Sequence, residues 1–367
     1  MADLYQLARP FLFRLDPEDA HHHTLKLMKA GLVPPVAPIK DDVLAQNLFG
    51  LKFSNPVGLA AGFDKNAEVV GPALKMGFGF VEAGTVTPRP QAGNDRPRIF
   101  RDAKHEAVIN RMGFPNGGME VFKNNIAAFL SRSPRLQGVV GINIGMNKEQ
   151  TDPAKDYCLL IRMLGPMADY LTINISSPNT PGLRNLQEKE PLTELLAAVT
   201  EERRKSCGSH PPPILLKLAP DLTEDQQGEI AAVVMNAGIE GIILGNTTLA
   251  RPDFLPKDFA GERGGLSGKP LKDKSTAIIR SMHRLTKGKI PIVGVGGIST
   301  GADAYEKIKA GASLVQVYSG LVFKGPTMAY SINKELASLL RADGFTSITE
   351  AVGAESRVGD KTKKHGS

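Results

Sequence analysis

The chain of 367 residues has no tryptophan, two cysteines and only 6% aromatic residues. Cys158 and Cys207 lie in helix-like surroundings with no CxxC pair and no histidine partner, which excludes a disulfide framework or a cysteine zinc site and fits a reducing compartment. No run reaches the roughly 18 uncharged apolar residues of a spanning helix. The opening MADLYQLARPFLF, with Asp3 early, lacks the charged and apolar regions of a signal peptide. Any membrane contact is therefore expected to be peripheral. No basic stripe interleaved with aromatics accompanies the net charge of +7, so nucleic acid is not an expected partner, while anionic lipid and small anions stay open. Part of the excess charge sits in RVGDKTKKHGS at the end, and residues 346–367 read as a disordered tail.

What is present is an ordinary globular balance, 41% hydrophobic and 23% charged, over a length one α/β barrel can fill. From Pro56 onward, short β-branched runs alternate with longer helical stretches. Eight strands are predicted: 56–62, 80–88, 138–147, 169–179, 212–220, 241–247, 289–298 and 313–320. Among the helices between them, the one after Thr223 has that residue as N-cap and acidic side chains in its first turn. No GxGxxG turn follows the first strand, so a closed (β/α)8 TIM barrel is favoured over an open doubly wound sheet. Such barrels carry their chemistry at the C-terminal strand ends. Polar residues sit there: Thr85, Asn143, Asn174, Lys217 and Asn246 would converge on one mouth. One strand-terminal asparagine is more often a turn residue, but five polar residues on consecutive strands are not explained that way. Lys217 in an apolar run is costly unless an anion or several acceptors meet it.

GVGGIST after strand seven supplies Gly294, Gly296 and Gly297, and VYSG after strand eight supplies Tyr318, Ser319 and Gly320. Glycine loops at those two strand ends suit a phosphate group. Ahead of the barrel, Leu4, Leu7, Ala8, Phe11 and Leu12 fall at helical spacing, and a second helix is expected from Asp16 as N-cap with Pro17 at N1, continuing through Leu32. By default such stripes pack on the core. The run His21-His22-His23 has no i, i+4 partner, and no metal is expected there.

NISSPNTPGLRNLQ, AAGFDKN (60–66), INRMGF (109–114), LLKLAPD (215–221) and GVGGI (294–298), in order on the eight strands, resemble the dihydroorotate dehydrogenase family, with the resemblance running from about Leu4 to Leu340. Serine at Ser177, where the soluble class has cysteine, resembles the quinone-reducing class. The resemblance implies FMN as cofactor, oxidation of dihydroorotate to orotate in pyrimidine biosynthesis, and a membrane quinone as acceptor. It implies a peripheral place on the cytoplasmic face of the inner (cell) membrane. Carried onto this chain, it implies Ser177 as catalytic base. FMN contacts would come from Ala61, Gly62, Phe63, Asp64, Lys65, Thr85, Asn143, Asn174, Lys217, Gly245, Gly268, Gly297, Tyr318 and Ser319. Substrate contacts would come from Lys65, Asn110, Arg111, Met112, Gly113, Phe114, Asn174, Asn179, Asn246 and Thr247. His21, Arg101 and Tyr318 would line a quinone tunnel formed with the N-terminal helices, which turns their apolar stripe toward lipid. Many members of the family have threonine at the place of Gly245, so a hydroxyl contact is missing here.

The expected organisation is an amphipathic segment over 1–38, a catalytic barrel over 39–345 and the tail. Quinone identity and oligomeric state stay open, a monomer included. A soluble-class dehydrogenase, a colourless phosphate-binding isomerase or aldolase, and a noncatalytic barrel are the competing readings, and flavin bleaching by dihydroorotate separates them.

Overall fold

Parallel strands covered on both faces need continuous apolar runs, and the computed structural model, which describes residues 4–37, 39–134 and 136–357, turns all eight predicted runs into such strands. They are β1 (Val57–Leu59), β2 (Phe80–Val86), β3 (Val139–Ile144), β4 (Tyr170–Asn174), β5 (Ile214–Leu218), β6 (Gly241–Leu244), β7 (Ile292–Val295) and β8 (Ala312–Val317). They close a barrel in chain order, β8 pairing with β1. Helices pack outside it, among them Glu224–Asn236, whose Thr223 cap forms a capping box with Gln226.

Side chains alternate across each strand. On β4, Leu171 and Ile173 face the helices, while Tyr170, Thr172 and Asn174 take the other face, toward the barrel interior. The interior floor is apolar: Phe80, Val139, Tyr170, Leu215, Ile243, Val293 and Leu314 pack with Phe53. Gly58 and Gly141 make room for the Phe80 and Tyr170 rings, since a Cβ at either place would lie within 2.3 and 2.1 Å of ring carbons. Phe53 comes from a hairpin, Gln46–Leu48 with Leu51–Phe53, closed by Phe49 and Gly50 at positive φ. Neither this hairpin nor the three-stranded antiparallel sheet of Ile99–Asp102, Ala107–Asn110 and Gly265–Gly268 is among the eight predicted strands.

At the N-terminus, α1 (Leu4–Leu12) and α2 (Pro17–Lys29) form as expected, with the Asp16 side chain accepting from the Glu18 and Asp19 amides. Helix α2 stops before Leu32, because Gly31 turns to φ 72° and the chain leaves the helix. The predicted boundary after Pro38 falls on a residue outside the described ones. The disordered tail expected from 346 is corrected over its first part: Ile348–Ala351 is helical, and Ile348 and Ala351 are fully buried because they complete the core. The remainder, 358–367, lies outside the described residues.

Candidate active site

Above the apolar floor the barrel interior turns polar. Lys217 on β5 is buried, and its Nζ lies 3.8 Å from Glu82 on β2, a carboxylate with no exposure. Burial pushes the Lys217 ammonium down from its ordinary value and Glu82 opposes this. Asn143 Nδ2 donates to Glu82 at 2.8 Å, and Thr85 Oγ1 and Asn174 Nδ2 donate to Asn143 Oδ1 at 2.6 and 3.0 Å. Ser176 Oγ donates to Asn174 Oδ1, and Asn246 Nδ2 donates to Ser176 Oγ at 2.8 Å. The polar strand ends predicted to converge do converge, as one network.

The loop after β4 folds over this network. Ser177, 5% exposed, accepts from the Asn179 amide at 3.2 Å. Asn179 Nδ2 donates to the Asn110 carbonyl at 3.1 Å, tying this loop to the antiparallel sheet. Arg184 ties it down from the other side through the Ser176 and Thr247 carbonyls and Asp221. From the loop after β1, Lys65 Nζ reaches the Gly62 carbonyl at 2.6 Å. Removal from solvent pushes that ammonium down to about 8, against the partly compensating charge of Glu18.

These groups line one cavity of about 1250 Å³, larger than a usual single-ligand pocket of about 300–1,000 Å³. One end is the polar mouth with Lys65, Thr85, Asn110, Asn174, Ser177, Asn179, Lys217, Asn246 and Thr247. A second region is lined by Gly268, Gly296, Gly297, Tyr318 and Ser319. Gly297 has φ +73°, and a Cβ there would lie 2.4 Å from Lys272 Cα, so backbone alone fits. The third region is apolar and runs out between α1 and α2 past Leu12, Phe13, Leu27 and Met28. His21 and Arg101 lie on its wall, His21 edge-on to Phe63 with its imidazole pushed down to about 3 by burial, then by Lys65 and His22. Arg101 lies over the Phe13 ring and donates to the Leu15 carbonyl at 2.7 Å.

Of the predicted contacts, Ala61, Gly62, Phe63, Met112, Gly113, Phe114 and Gly245 also line the cavity, while Asp64, Arg111 and Asn143 do not. The Asp64 carboxylate caps the Glu68 and Val69 amides and is raised to about 6 by burial. Arg111 alternates outward from Asn110, pairs with Glu262 and stacks on Phe100. Asn143 lies one hydrogen bond below the wall. Gly245 has φ +125°, and a Cβ would sit 2.1 Å from the Val295 carbonyl, so the backbone here is one a threonine would not adopt unchanged. Glu82 went unrecognised in FVEAGTV; its signal is its two-residue spacing from Phe80 on the inner face.

Two residues that line the cavity, Thr247 and Gln316, each keep a buried polar atom, Oγ1 and Oε1, without a hydrogen-bond partner among the described residues. The glycine cradle, together with Lys217 and the asparagines of the polar mouth, fits a phosphate-bearing, polar-edged group such as FMN.

The comparisons point the same way. The family model for dihydroorotate dehydrogenase matches residues 43–340. A protein from Rhodospirillum rubrum named dihydroorotate dehydrogenase (quinone) is 53% identical over 97% of this chain and 96% of its own. A Mus musculus protein named dihydroorotate dehydrogenase (quinone), mitochondrial, is 49% identical over 94% of this chain and 88% of its own. Among solved structures, a dihydroorotate dehydrogenase from Eimeria tenella in complex with ferulenol superposes with a TM-score of 0.89 at 41% identity, covering 93% of this chain and 96% of that one. With the barrel, the loop motifs and the matched span in agreement, the chain belongs to the dihydroorotate dehydrogenase family.

Proposed function

We propose that the chain oxidises dihydroorotate to orotate on a bound FMN and passes the electrons to a membrane quinone. The observation that carries this reading is the single cavity that joins the polar mouth to an apolar path between α1 and α2. FMN, when bound, supplies the two-electron acceptor for the hydride leaving C6 of the substrate and the relay to the quinone.

The chain's own residues do the rest. Gly268, Gly296 and Gly297, with Ser319 at the start of the helix Ser319–Lys324, offer backbone to the cofactor phosphate. Lys217 would place positive charge at the polar edge of the ring system, where negative charge gathers on reduction. Lys65 would meet the substrate carboxylate, and Asn110, Asn174, Asn179 and Asn246 would hold the pyrimidine amides. Ser177 Oγ takes the proton from C5. It already accepts from the Asn179 amide, which steadies the oxygen, and the released proton needs a water or a neighbouring group to carry it off. At the other end, His21, Arg101 and Tyr318 line the quinone path, with His21 neutral at ordinary pH.

We assign residues 1–38 to the quinone and membrane side and 39–345 to catalysis. Leu7, Phe11, Leu27 and Leu32 are 45–68% exposed on α1, α2 and the turn after α2, with Arg9, Arg14, Lys26 and Lys29 in the same stretch, a pattern suited to lying in an anionic interface. No helix among the described residues is long and apolar enough to cross a membrane. The attachment assigned to the chain is peripheral, at the cytoplasmic face of the inner membrane, and one chain carries every group named, so a monomer suffices. The test is anaerobic mixing of the purified protein with dihydroorotate, followed by a long-tailed quinone. The flavin band should bleach and then return; a colourless protein, or a yellow one that dihydroorotate leaves oxidised, overturns the reading.

A further inference from the structure

Glu82 lies at the centre of the barrel with no solvent exposure, and each side chain that bonds it is a donor. Asn143 Nδ2 reaches it from β3 at 2.8 Å, Tyr170 OH and Thr172 Oγ1 from β4 at 3.0 Å each, and Gln316 Nε2 from β8 at 2.9 Å. Lys217 Nζ stands 3.8 Å away on β5. The Asn143 and Gln316 amide nitrogens can only donate, and they reach Oε1 and Oε2 respectively, so both Glu82 oxygens act as acceptors.

Because Glu82 Oε1 accepts from Asn143, the orientation of every amide above it follows. Asn143 must turn Nδ2 down to Glu82 and Oδ1 up, where it accepts from Thr85 and from Asn174 Nδ2. Asn174 must then turn its Oδ1 to Ser176, accepting from Oγ at 3.0 Å. Ser176 Oγ, having donated, accepts from Asn246 Nδ2 at 2.8 Å, and Asn246 Oδ1 is left to accept the Thr247 amide at 2.7 Å. One buried acceptor thus sets the donor and acceptor sense of a chain that ends on the cavity wall.

We propose that Glu82 is a positioning residue for the reaction: it fixes which edge Asn174 and Asn246 present to ligands and balances the charge of Lys217, without touching substrate or cofactor itself. Packing alone does not account for it. A well-packed apolar layer at this depth would stabilise the barrel as well or better than a buried ion pair, whereas only an acceptor at the base of the chain can impose its direction. The proposal rests on the reading of the cavity as a site for FMN and dihydroorotate.

Glu82→Gln keeps the shape, removes the charge and sets an NH2 against one of the donors. Apoprotein titrated with FMN by flavin fluorescence, and holoenzyme titrated with orotate by flavin absorbance, should each show affinity weakened about tenfold, the scale of one unsatisfied buried group. Adding Asn143→Asp moves the carboxylate one link up: the amide introduced at position 82 can donate to it, and its other oxygen still accepts from Thr85 and Asn174. The double variant should regain most of the orotate affinity. Tyr170→Phe removes a Glu82 partner on the floor side and should change both affinities by less than about threefold, because it leaves the chain above intact. Wild-type affinities in folded Glu82→Gln overturn the proposal. So does a double variant no better than the single, or a Tyr170→Phe loss as large as that of Glu82→Gln. If thermal unfolding shows that Glu82→Gln does not fold, a folded double variant with near wild-type orotate affinity still supports directionality, and one that stays unfolded or weak sinks it. Failure of the wild-type protein to bind FMN would count against the cavity assignment instead.

Discussion

Glu18 on α2 grips Arg98 beside the antiparallel sheet, with Oε1 to Nη2 at 2.6 Å and Oε2 to Nε at 2.9 Å, and both side chains are under a tenth exposed. Burial alone would raise the Glu18 carboxyl, but Arg98 and Arg96 hold it below its usual range. Arg98 also donates to the Ala92 and Asn94 carbonyls at 2.7 and 2.6 Å, and Asn94 Nδ2 donates to the Arg111 carbonyl at 2.9 Å. The N-terminal helices are therefore bonded to the loops that cover the mouth.

This pair makes removal of residues 1–35 more than the loss of the proposed quinone path. The deletion takes away both the carboxylate that Arg98 pairs with and the helix that covers it, so the loop that Arg98 holds through the Ala92 and Asn94 carbonyls loses its anchor. Turnover with a long-tailed quinone should fall most, yet thermal stability and flavin reduction by dihydroorotate should fall too. Glu18→Gln should reproduce the stability loss while leaving the quinone KM within about twofold of wild type, since Glu18 is absent from the cavity wall. Unfolding curves and the two half-reactions measured separately decide it; a deletion variant of wild-type stability would show that the pair holds nothing in place.

Orotate binding should carry a pH dependence from Lys65. Its ammonium titrates at about 8 in the free protein. The protonated form is the one that attracts a carboxylate, and a bound anion raises the pKa, so affinity is full below 8 and falls as pH rises through it, by up to about tenfold per unit. Lys65→Met should bind orotate weakly with no such fall. A wild-type affinity flat from pH 6 to 10 would remove Lys65 from the carboxylate site.

The barrel was legible because each strand, buried on both faces, is an apolar run closed by glycine or proline, and Lys217, Asn174 and Asn246 stood out as polar exceptions in such runs. The hairpin over Gln46–Phe53 was not legible: its strands are three residues each, too short for alternation to register. Asp64 and Arg111 belong to motifs that do form the site, but a motif places backbone, and the strand pleat and a loop cap decide where each side chain points. Glu82 is a different case. A lone carboxylate on β2 acquires meaning only from Lys217 on β5, a partner brought across the barrel by closure and invisible along the chain.

Gly245 tests how far the family pattern transfers. Threonine is expected at this place in many relatives, yet φ +125° is open only to glycine, and a Cβ would meet the Val295 carbonyl at 2.1 Å. Gly245→Thr should destabilise the protein by about 1–3 kcal/mol and lower FMN content instead of adding a useful hydroxyl. Thermal unfolding and flavin released per chain are the measurements. A variant of equal stability with tighter FMN would mean the backbone rotates there at little cost.

Ser177 should prove necessary for rate and nearly dispensable for binding. Its Oγ accepts from the Asn179 amide and lines the cavity, while the groups assigned to hold the ring are Lys65, Asn110, Asn174, Asn179 and Asn246. A positioned base contributes about 100-fold to 10,000-fold in rate, so Ser177→Ala should slow anaerobic flavin reduction by that order with orotate affinity nearly unchanged. A hydroxyl acts as a base only as it loses its own proton, so the wild-type reduction rate should rise with pH under saturating dihydroorotate, where the Lys65 effect on binding no longer limits. Ser177→Cys should move that rise to lower pH, because a thiol is the stronger acid. Stopped-flow bleaching of the three proteins against pH separates these outcomes. Near wild-type reduction by Ser177→Ala would mean that the C5 proton leaves by another group and would remove Ser177 from the mechanism.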